Sequence, residues 1–198
     1  MYDEFDYWGK RGHPTSEDEL YTDAHIDYIR RMTTGADRIL DFGPGIGRTF
    51  PAYAGTIPSP LVEGYDITEQ YRERALKAAM ELNIAYVSVL NTSGDPAHIP
   101  HLVKVFDVAV ACSVLMHQRP QHIVPVMRSL ARVASKVAVM AWMTKAGYFT
   151  PHEHMEEKDY YTHIFNYNYF LICNQNGWIV TDVEPFREQI FFTYKEQG

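Results

Sequence analysis

Cysteine is nearly absent: Cys112 and Cys173 are the only two in 198 residues. No CxxC and no Cys/His pair at zinc-finger spacing accompanies them, which excludes a disulfide framework and a structural zinc. Both read as buried thiols. Long apolar runs are missing too, since no uncharged stretch approaches the ~20 residues that a bilayer-crossing helix needs. The N-terminal "MYDEFDYWGKRG" is acidic and lacks the basic start and apolar run of a signal peptide. A cytoplasmic chain with no membrane partner is expected. Clustered positive charge is also lacking. Lys and Arg number 18 against 25 Asp and Glu, for a net charge of −7 and a pI near 5.7. The densest basic groups, Lys10-Arg11 and Arg30-Arg31, sit among acids, which argues against nucleic acid as the primary ligand. The same acidic balance leans towards neutral or cationic small molecules.

What is present is the composition of a globular domain: 46% hydrophobic, 22% charged and a rich 14% aromatic. The length suits one domain, with no internal repeat. It divides into an N-terminal cap or lid and helix over 1–35, a ligand-binding core over 36–142, and a covering segment with terminal strands over 143–198.

The order of elements is informative. "DELYTDAHIDYIRRM" puts Leu20, Ala24, Asp27 with Tyr28, and Arg31 on successive helical turns, ending before Gly35. "DRILDFG" reads as a strand broken by Gly43-Pro44-Gly45, followed by a helix, and "PSPLVEGYDIT" as a second strand closing at Asp66. Thr68 caps a helix running to Asn83, with Tyr71, Ala75, Ala78 and Leu82 on one face. "IAYVSVL" and the nearly unbroken apolar "FDVAVACSVL" are strands three and four, the latter covered on both sides. A helix from Pro120 to Ser135 presents Ile123, Met127, Leu130 and Ala134, with Pro125 in its first turns or kinking it. "KVAVMAW" is strand five. The polar aromatic stretch after it has a later half compatible with helix, and "WIVTDVEPF" and "QIFFTYKE" form an antiparallel pair. The expected fold is therefore α/β: a doubly wound, Rossmann-like, mostly parallel sheet of seven strands, with an antiparallel C-terminal pair and helices on both faces.

A glycine loop behind strand one of such a sheet marks the place where backbone approaches a ligand. The run is Gly43, Gly45, Gly47, and Arg48 stands where a dinucleotide fingerprint wants its last glycine, which counts against a nicotinamide cofactor. Asp41 precedes the first glycine by two, and a carboxylate there suits an ammonium better than phosphate. Asp66 ends strand two, where its oxygens can accept from the two hydroxyls of a ribose. An ammonium plus a ribose describes S-adenosylmethionine.

"ILDFGPGIGR", "VEGYDIT", "FDVAVACSVLMH" and "MRSLARVASKVAVMAW", across residues 36 to 142, resemble the class I S-adenosylmethionine-dependent methyltransferases that act on small molecules. The resemblance implies that Asp41, Gly43, Pro44, Gly45 and Gly47 line the methionine end and that Asp66 and Ile67 hold ribose and adenine. The loop from Ser113 to His117 would face the reactive methyl. Behind strand three the family often has an acid on the adenine amino group; the candidates here are Asn91 and Asp95.

His117 is the candidate base, with a helix-entry or solvated histidine as the alternative. Trp8 in the N-terminal lid, and Tyr148, Phe149 and His152 in the aromatic segment, are candidates to contact the methyl acceptor. The "HEHMEE" stretch is too loose a pattern to read as a metal site. A catalytically silent nucleoside-binding domain, acting as sensor or scaffold, is the competing function, and a nucleotide-dependent oxidoreductase is a third.

Overall fold

The computed structural model describes residues 22–90, 105–142, 152–155, 164–187 and 189–197. Helix α1 spans Asp23–Thr33 and strand β1 Arg38–Phe42. The short helix α2 (Phe50–Tyr53), β2 (Leu61–Asp66), α3 (Glu69–Glu81) and β3 (Ala85–Leu90) follow. After β4 (Phe106–Cys112) come a 3-10 turn (Leu115–His117), α4 (Pro120–Val133) and β5 (Ala134–Trp142). A small hairpin of β6 (His152–Met155) and β7 (Ile164–Tyr167) leads to α5 (Tyr169–Gln175), β8 (Trp178–Phe186) and β9 (Gln189–Glu196).

Seven strands form one sheet in the order β3-β2-β1-β4-β5-β9-β8. β1 to β5 are mutually parallel, β9 is antiparallel to β5, and β8 is antiparallel to β9. The expected doubly wound sheet with its antiparallel C-terminal pair is therefore present. Because β1 leads outward to β2 and β3 on one side while β4 and β5 lie on the other, the direction of winding reverses between β1 and β4. The crevice at the C-terminal ends of those two strands is the switch point at which such sheets bind ligands.

Each face of the sheet carries its own core. On one, Ile123, Met127 and Leu130 of α4 and Ile172 of α5 pack on Leu40, Ala109, Val137 and Phe192. On the other, Tyr28 and Ile29 of α1, Phe50 and Tyr53 of α2 and Ala75 and Ala79 of α3 pack on Ile39, Val62, Val110, Met140 and Phe191. Successive strand residues point to opposite faces, so Asp41 shares the second face with Ile39. Only one residue of β4 is exposed, Asp107; its Oδ2 accepts from the Asp37 and Arg38 amides at 2.9 Å each, closing the start of β1.

Four element-level expectations are corrected. The buried face of α1 is His25, Tyr28, Ile29 and Met32, whereas Ala24, Asp27 and Arg31 are exposed. The two charged residues are drawn outward by partners, Asp27 to Arg30 and Arg31 to Glu184. The face of α3 rotates similarly, from Ala78 and Leu82 to Ala79, and Leu82 caps the helix at 38% exposure. α4 stops at Val133, so Ala134 opens β5 instead of lying on the helical face, while Pro125 falls inside the helix. The region after strand five holds the β6–β7 hairpin, with α5 following it. Both cysteines are buried and free, as expected.

Candidate functional site

Asp41 stands near the C-terminal end of β1, 1% exposed. Its Oδ2 accepts two hydroxyl hydrogen bonds, from Thr49 at 2.5 Å and from Tyr53 at 2.9 Å. Oδ1 is buried as well and has no hydrogen-bond partner in the protein. Burial pushes the carboxyl up from 3.8 to about 6, against the pull of the Thr49 and Tyr53 hydrogen bonds, and the nearby Asp66 charge adds to the rise. A buried carboxylate oxygen without a donor costs free energy unless something supplies one. The donor set of an ammonium suits it.

The glycine loop wraps the exit of β1. The Gly43 amide donates to the Tyr65 carbonyl of β2 at 2.8 Å. Its φ is 72°, and a Cβ there would come within 2.7 Å of Val114 Cγ2, so the loop and the segment after β4 touch through this glycine. Gly45 has φ 56° and nothing within 4 Å of where its Cβ would stand; here the backbone is bare towards open space. At Gly47 a Cβ would meet the Phe50 ring at 2.7 Å and Ala78 of α3 at 3.2 Å, which closes the loop onto the second core. Pro44 is buried between them. The helix expected to follow is a single turn, α2, reached through turns. No long helix therefore aims its N-terminal amides at a ligand from this loop, a further departure from dinucleotide-binding geometry.

Asp66, 6% exposed at the end of β2, joins the loop from the other side. Oδ2 accepts from the Gly45 amide at 3.0 Å, and Oδ1 from the Thr68 amide at 3.0 Å and the Thr68 hydroxyl at 3.3 Å. Burial raises its pKa, with those hydrogen bonds acting in the opposite direction. Sequence reasoning had both oxygens open to ribose hydroxyls. Both already accept from the protein, so a ribose hydroxyl would share Oδ2 with Gly45 through the remaining lone pair. Ile67 follows, half-buried.

Beyond β4 the chain turns sharply. Ser113 takes φ 55° and donates its amide to the Met140 carbonyl at 2.7 Å, a backbone conformation uncommon for a residue with a side chain. Val114 follows against Gly43. His117 ends the 3-10 turn, 6% exposed, with its amide bonded to the Val114 carbonyl at 3.1 Å; the solvated-histidine alternative is thereby excluded. The fully buried Tyr167 of β7 donates its hydroxyl to the Gln118 carbonyl at 2.5 Å. Tyr167 is also opposite His152 in the β6–β7 register. The hairpin is thus fastened to the turn that carries His117, and the His152 backbone comes with it.

Asn91, Asp95, Trp8, Tyr148 and Phe149, like the first twenty-one residues as a whole, lie outside the described residues, as does the side chain of His152. Among the described residues no three His, Cys, Asp or Glu side chains converge as a metal site would require, and no helix is long and apolar enough to cross a membrane. Thr49 and Tyr53, which set the state of Asp41, escaped sequence reasoning. Their only signal was their spacing, eight and twelve residues behind a strand-end acid, and that spacing acquires meaning only once α2 is known to fold back over β1.

The methyltransferase-domain family matches residues 39–136, the segment from β1 to the start of β5. No curated protein matches the sequence. Solved structures share the fold at low identity. The 1,6-didemethyltoxoflavin N1-methyltransferase of Burkholderia thailandensis, solved with its substrate and S-adenosylhomocysteine, is 12% identical with a TM-score of 0.67 over 89% of this chain and 80% of that one. The CcbJ methyltransferase of Streptomyces caelestis is 15% identical with a TM-score of 0.67 over 98% and 96%. The glycopeptide N-methyltransferase MtfA, solved with S-adenosylmethionine, is 15% identical with a TM-score of 0.65 over 93% and 90%. With the sheet order, the acid before the glycine loop and the acid ending β2 all in place, this chain belongs to the class I S-adenosylmethionine-dependent methyltransferases.

Proposed function

We propose that this enzyme transfers the methyl group of S-adenosylmethionine to an oxygen or nitrogen nucleophile of a small molecule by in-line displacement, releasing S-adenosylhomocysteine. The observation that carries the reading is the pairing of the unpartnered, buried Asp41 Oδ1 with the open flank of Gly45 at the switch point between β1 and β4. That crevice suits a ligand with a cationic end and no pyrophosphate. The relatives crystallised with S-adenosylmethionine or its product agree with it.

Asp41, Gly43, Pro44, Gly45 and Gly47 would hold the methionine end; Asp66 and Ile67 the ribose and adenine; Asn91 or Asp95 the adenine amino group; and Ser113 the side of the crevice below β4. When bound, S-adenosylmethionine supplies an electrophilic methyl on a sulfonium. The work left to the chain is alignment, which can account for most of the acceleration of a displacement. Val114 against Gly43 fixes the distance between the two loops that flank the reacting centre. His117, held buried on the 3-10 turn, would take the proton of an acceptor that arrives protonated. Trp8, Tyr148, Phe149 and His152 would contact the acceptor. Residues 1–12 would act as a lid, so their deletion should weaken cofactor binding.

Calorimetry tests the reading directly. S-adenosylmethionine and S-adenosylhomocysteine should bind and NAD should not; binding of NAD alone would overturn it. A silent sensor would bind both adenosyl ligands and yet transfer no methyl to any acceptor.

A further inference from the structure

The turn joining β8 to β9 returns to the same end of the sheet as the glycine loop. β9 is antiparallel to β5, with Gln189 opposite Trp142 at the end of β5. Arg187 therefore stands where the parallel strands finish. Its backbone lies at φ 55°, in the left-handed region that a bulky residue enters at a cost of about 1 kcal/mol or more. Its guanidinium is 5.3 Å from the centre of the Phe186 ring. The same ring meets the His25 imidazole edge-on, with centroids 5.2 Å apart. His25 is 8% exposed. Its Nε2 bonds to Gln189 Oε1 at 2.8 Å, and its Nδ1 lies 2.6 Å from the Thr22 hydroxyl.

Arg48 completes the group from the glycine loop. Burial first, and then the charges of Arg187 and Arg48, hold the His25 imidazole below its usual 6.5, with only the Gln189 hydrogen bond acting the other way. Among the described residues no carboxylate figures in that balance. Two acids of β8 are engaged elsewhere: Glu184 pairs with Arg31 at 2.5 Å, and Asp182 accepts the Thr193 hydroxyl at 3.0 Å. A chain with a net charge of −7 thus keeps uncompensated positive charge at one edge of its site. Arginine forks match the planar or tetrahedral oxygens of carboxylate and phosphate, and Arg187 is displayed on an exposed turn in a strained conformation.

We propose that Arg48 and Arg187, beside His25, bind an anionic group, a carboxylate or a phosphate, on the methyl acceptor. The proposal rests on the methyl-transfer reading and narrows it: the acceptor is a small organic anion bearing the oxygen or nitrogen that is methylated. The local charge then outweighs the acidic balance of the whole chain, which on its own leans towards neutral or cationic substrates.

The test follows the His25 ring resonances by NMR in protein saturated with S-adenosylhomocysteine, assigned with a His25→Asn variant, during titration with benzoate and separately with inorganic phosphate. A bound anion should move the resonances saturably and raise the imidazole pKa. Arg187→Gln should weaken that response about tenfold or more, and Arg48→Gln with Arg187→Gln should abolish it. Response to benzoate alone assigns a carboxylate, and response to phosphate alone a phosphate; either supports the proposal. No saturable movement with either probe, at concentrations that would fill a millimolar site, would overturn it, as would an equal response in Arg187→Gln. That single variant, on an exposed turn, keeps the test decisive if the double variant fails to fold. Failure of wild-type protein to bind S-adenosylhomocysteine in calorimetry would instead overturn the methyl-transfer reading beneath it.

Discussion

The Tyr53 hydroxyl donates to Asp41 Oδ2 at 2.9 Å and so ties the single turn of α2 to the buried end of β1. Thr49 bonds to the same oxygen, which leaves Oδ1 as the face that Asp41 can offer to a ligand. The state of this one carboxyl couples folding to binding.

Its pKa of about 6 in the folded chain lies above the ordinary 3.8, chiefly through burial. The folded state therefore holds the proton more tightly than the unfolded chain does. Its stabilising contribution is complete below about pH 4 and is lost as the pH rises through about 6. The displacement corresponds to a loss on the order of 3 kcal/mol. Urea unfolding of wild type should show this decline between pH 4 and 6, and Asp41→Asn should flatten it. Ligand binding should run the other way, because an ammonium needs the ionised carboxylate: affinity for S-adenosylhomocysteine should improve as the pH rises through about 6. Asp41→Asn should lose that improvement and bind about tenfold or more weakly at pH 7. Parallel pH profiles for wild type and variant would separate Asp41 from the cofactor.

Tyr53→Phe removes one of the two donors to Asp41 Oδ2 and leaves the buried acceptor with Thr49 alone. We expect a stability loss of about 1–2 kcal/mol at pH 7. The pH at which S-adenosylhomocysteine affinity improves should move upward, since a hydrogen bond that favours the charged form is gone. The second effect distinguishes tuning of Asp41 from simple loss of packing by a fully buried ring.

Much of this site is legible in the sequence because strand ends and glycines leave local signatures. Asp41, Gly43, Gly45 and Asp66 are recognisable from their offsets to apolar runs, and the two-sided burial of β4 from its lack of alternation. What the sequence hides depends on tertiary geometry. The faces of α1 and α3 are misjudged by one position, because a 3.6-residue period tolerates neighbouring stripes until Phe191 or Ile84 defines what must be covered. The engagement of Asp66 by Gly45 joins residues 21 apart in sequence, and the β6–β7 hairpin owes its place to one tyrosine hydroxyl on a distant carbonyl. No local pattern encodes such pairings.

His117 is buried on a turn fixed by Val114 and, through Gln118, by Tyr167. If it accepts the proton of the acceptor, His117→Gln should lower turnover with the true acceptor by ~10²-fold or more and leave S-adenosylhomocysteine affinity near wild type. The acidic limb of the rate profile should vanish with it. Unchanged turnover would remove the base from the mechanism and leave alignment alone.

The glycine loop separates folding from binding at two positions only two residues apart. Gly43→Ala places a methyl 2.7 Å from Val114 Cγ2 at φ 72°, so it must push the β4 exit away from β1. Strain and overpacking together should cost roughly 2–4 kcal/mol, and Val114→Ala in the same chain should recover the steric share of that loss. Gly45→Ala meets nothing within 4 Å at φ 56°, so its thermal midpoint should fall by only the backbone share, about 1–2 kcal/mol. Its added methyl, however, stands on the flank that the proposed ligand would approach, and S-adenosylhomocysteine affinity should drop at least about tenfold, because a carbon there displaces the ligand from the bare backbone. Thermal unfolding and calorimetry on the two variants should therefore give opposite rankings, Gly43→Ala the less stable and Gly45→Ala the weaker binder per unit of stability lost. A common ranking in both measurements would mean that the loop shapes the fold alone and that the ligand lies elsewhere.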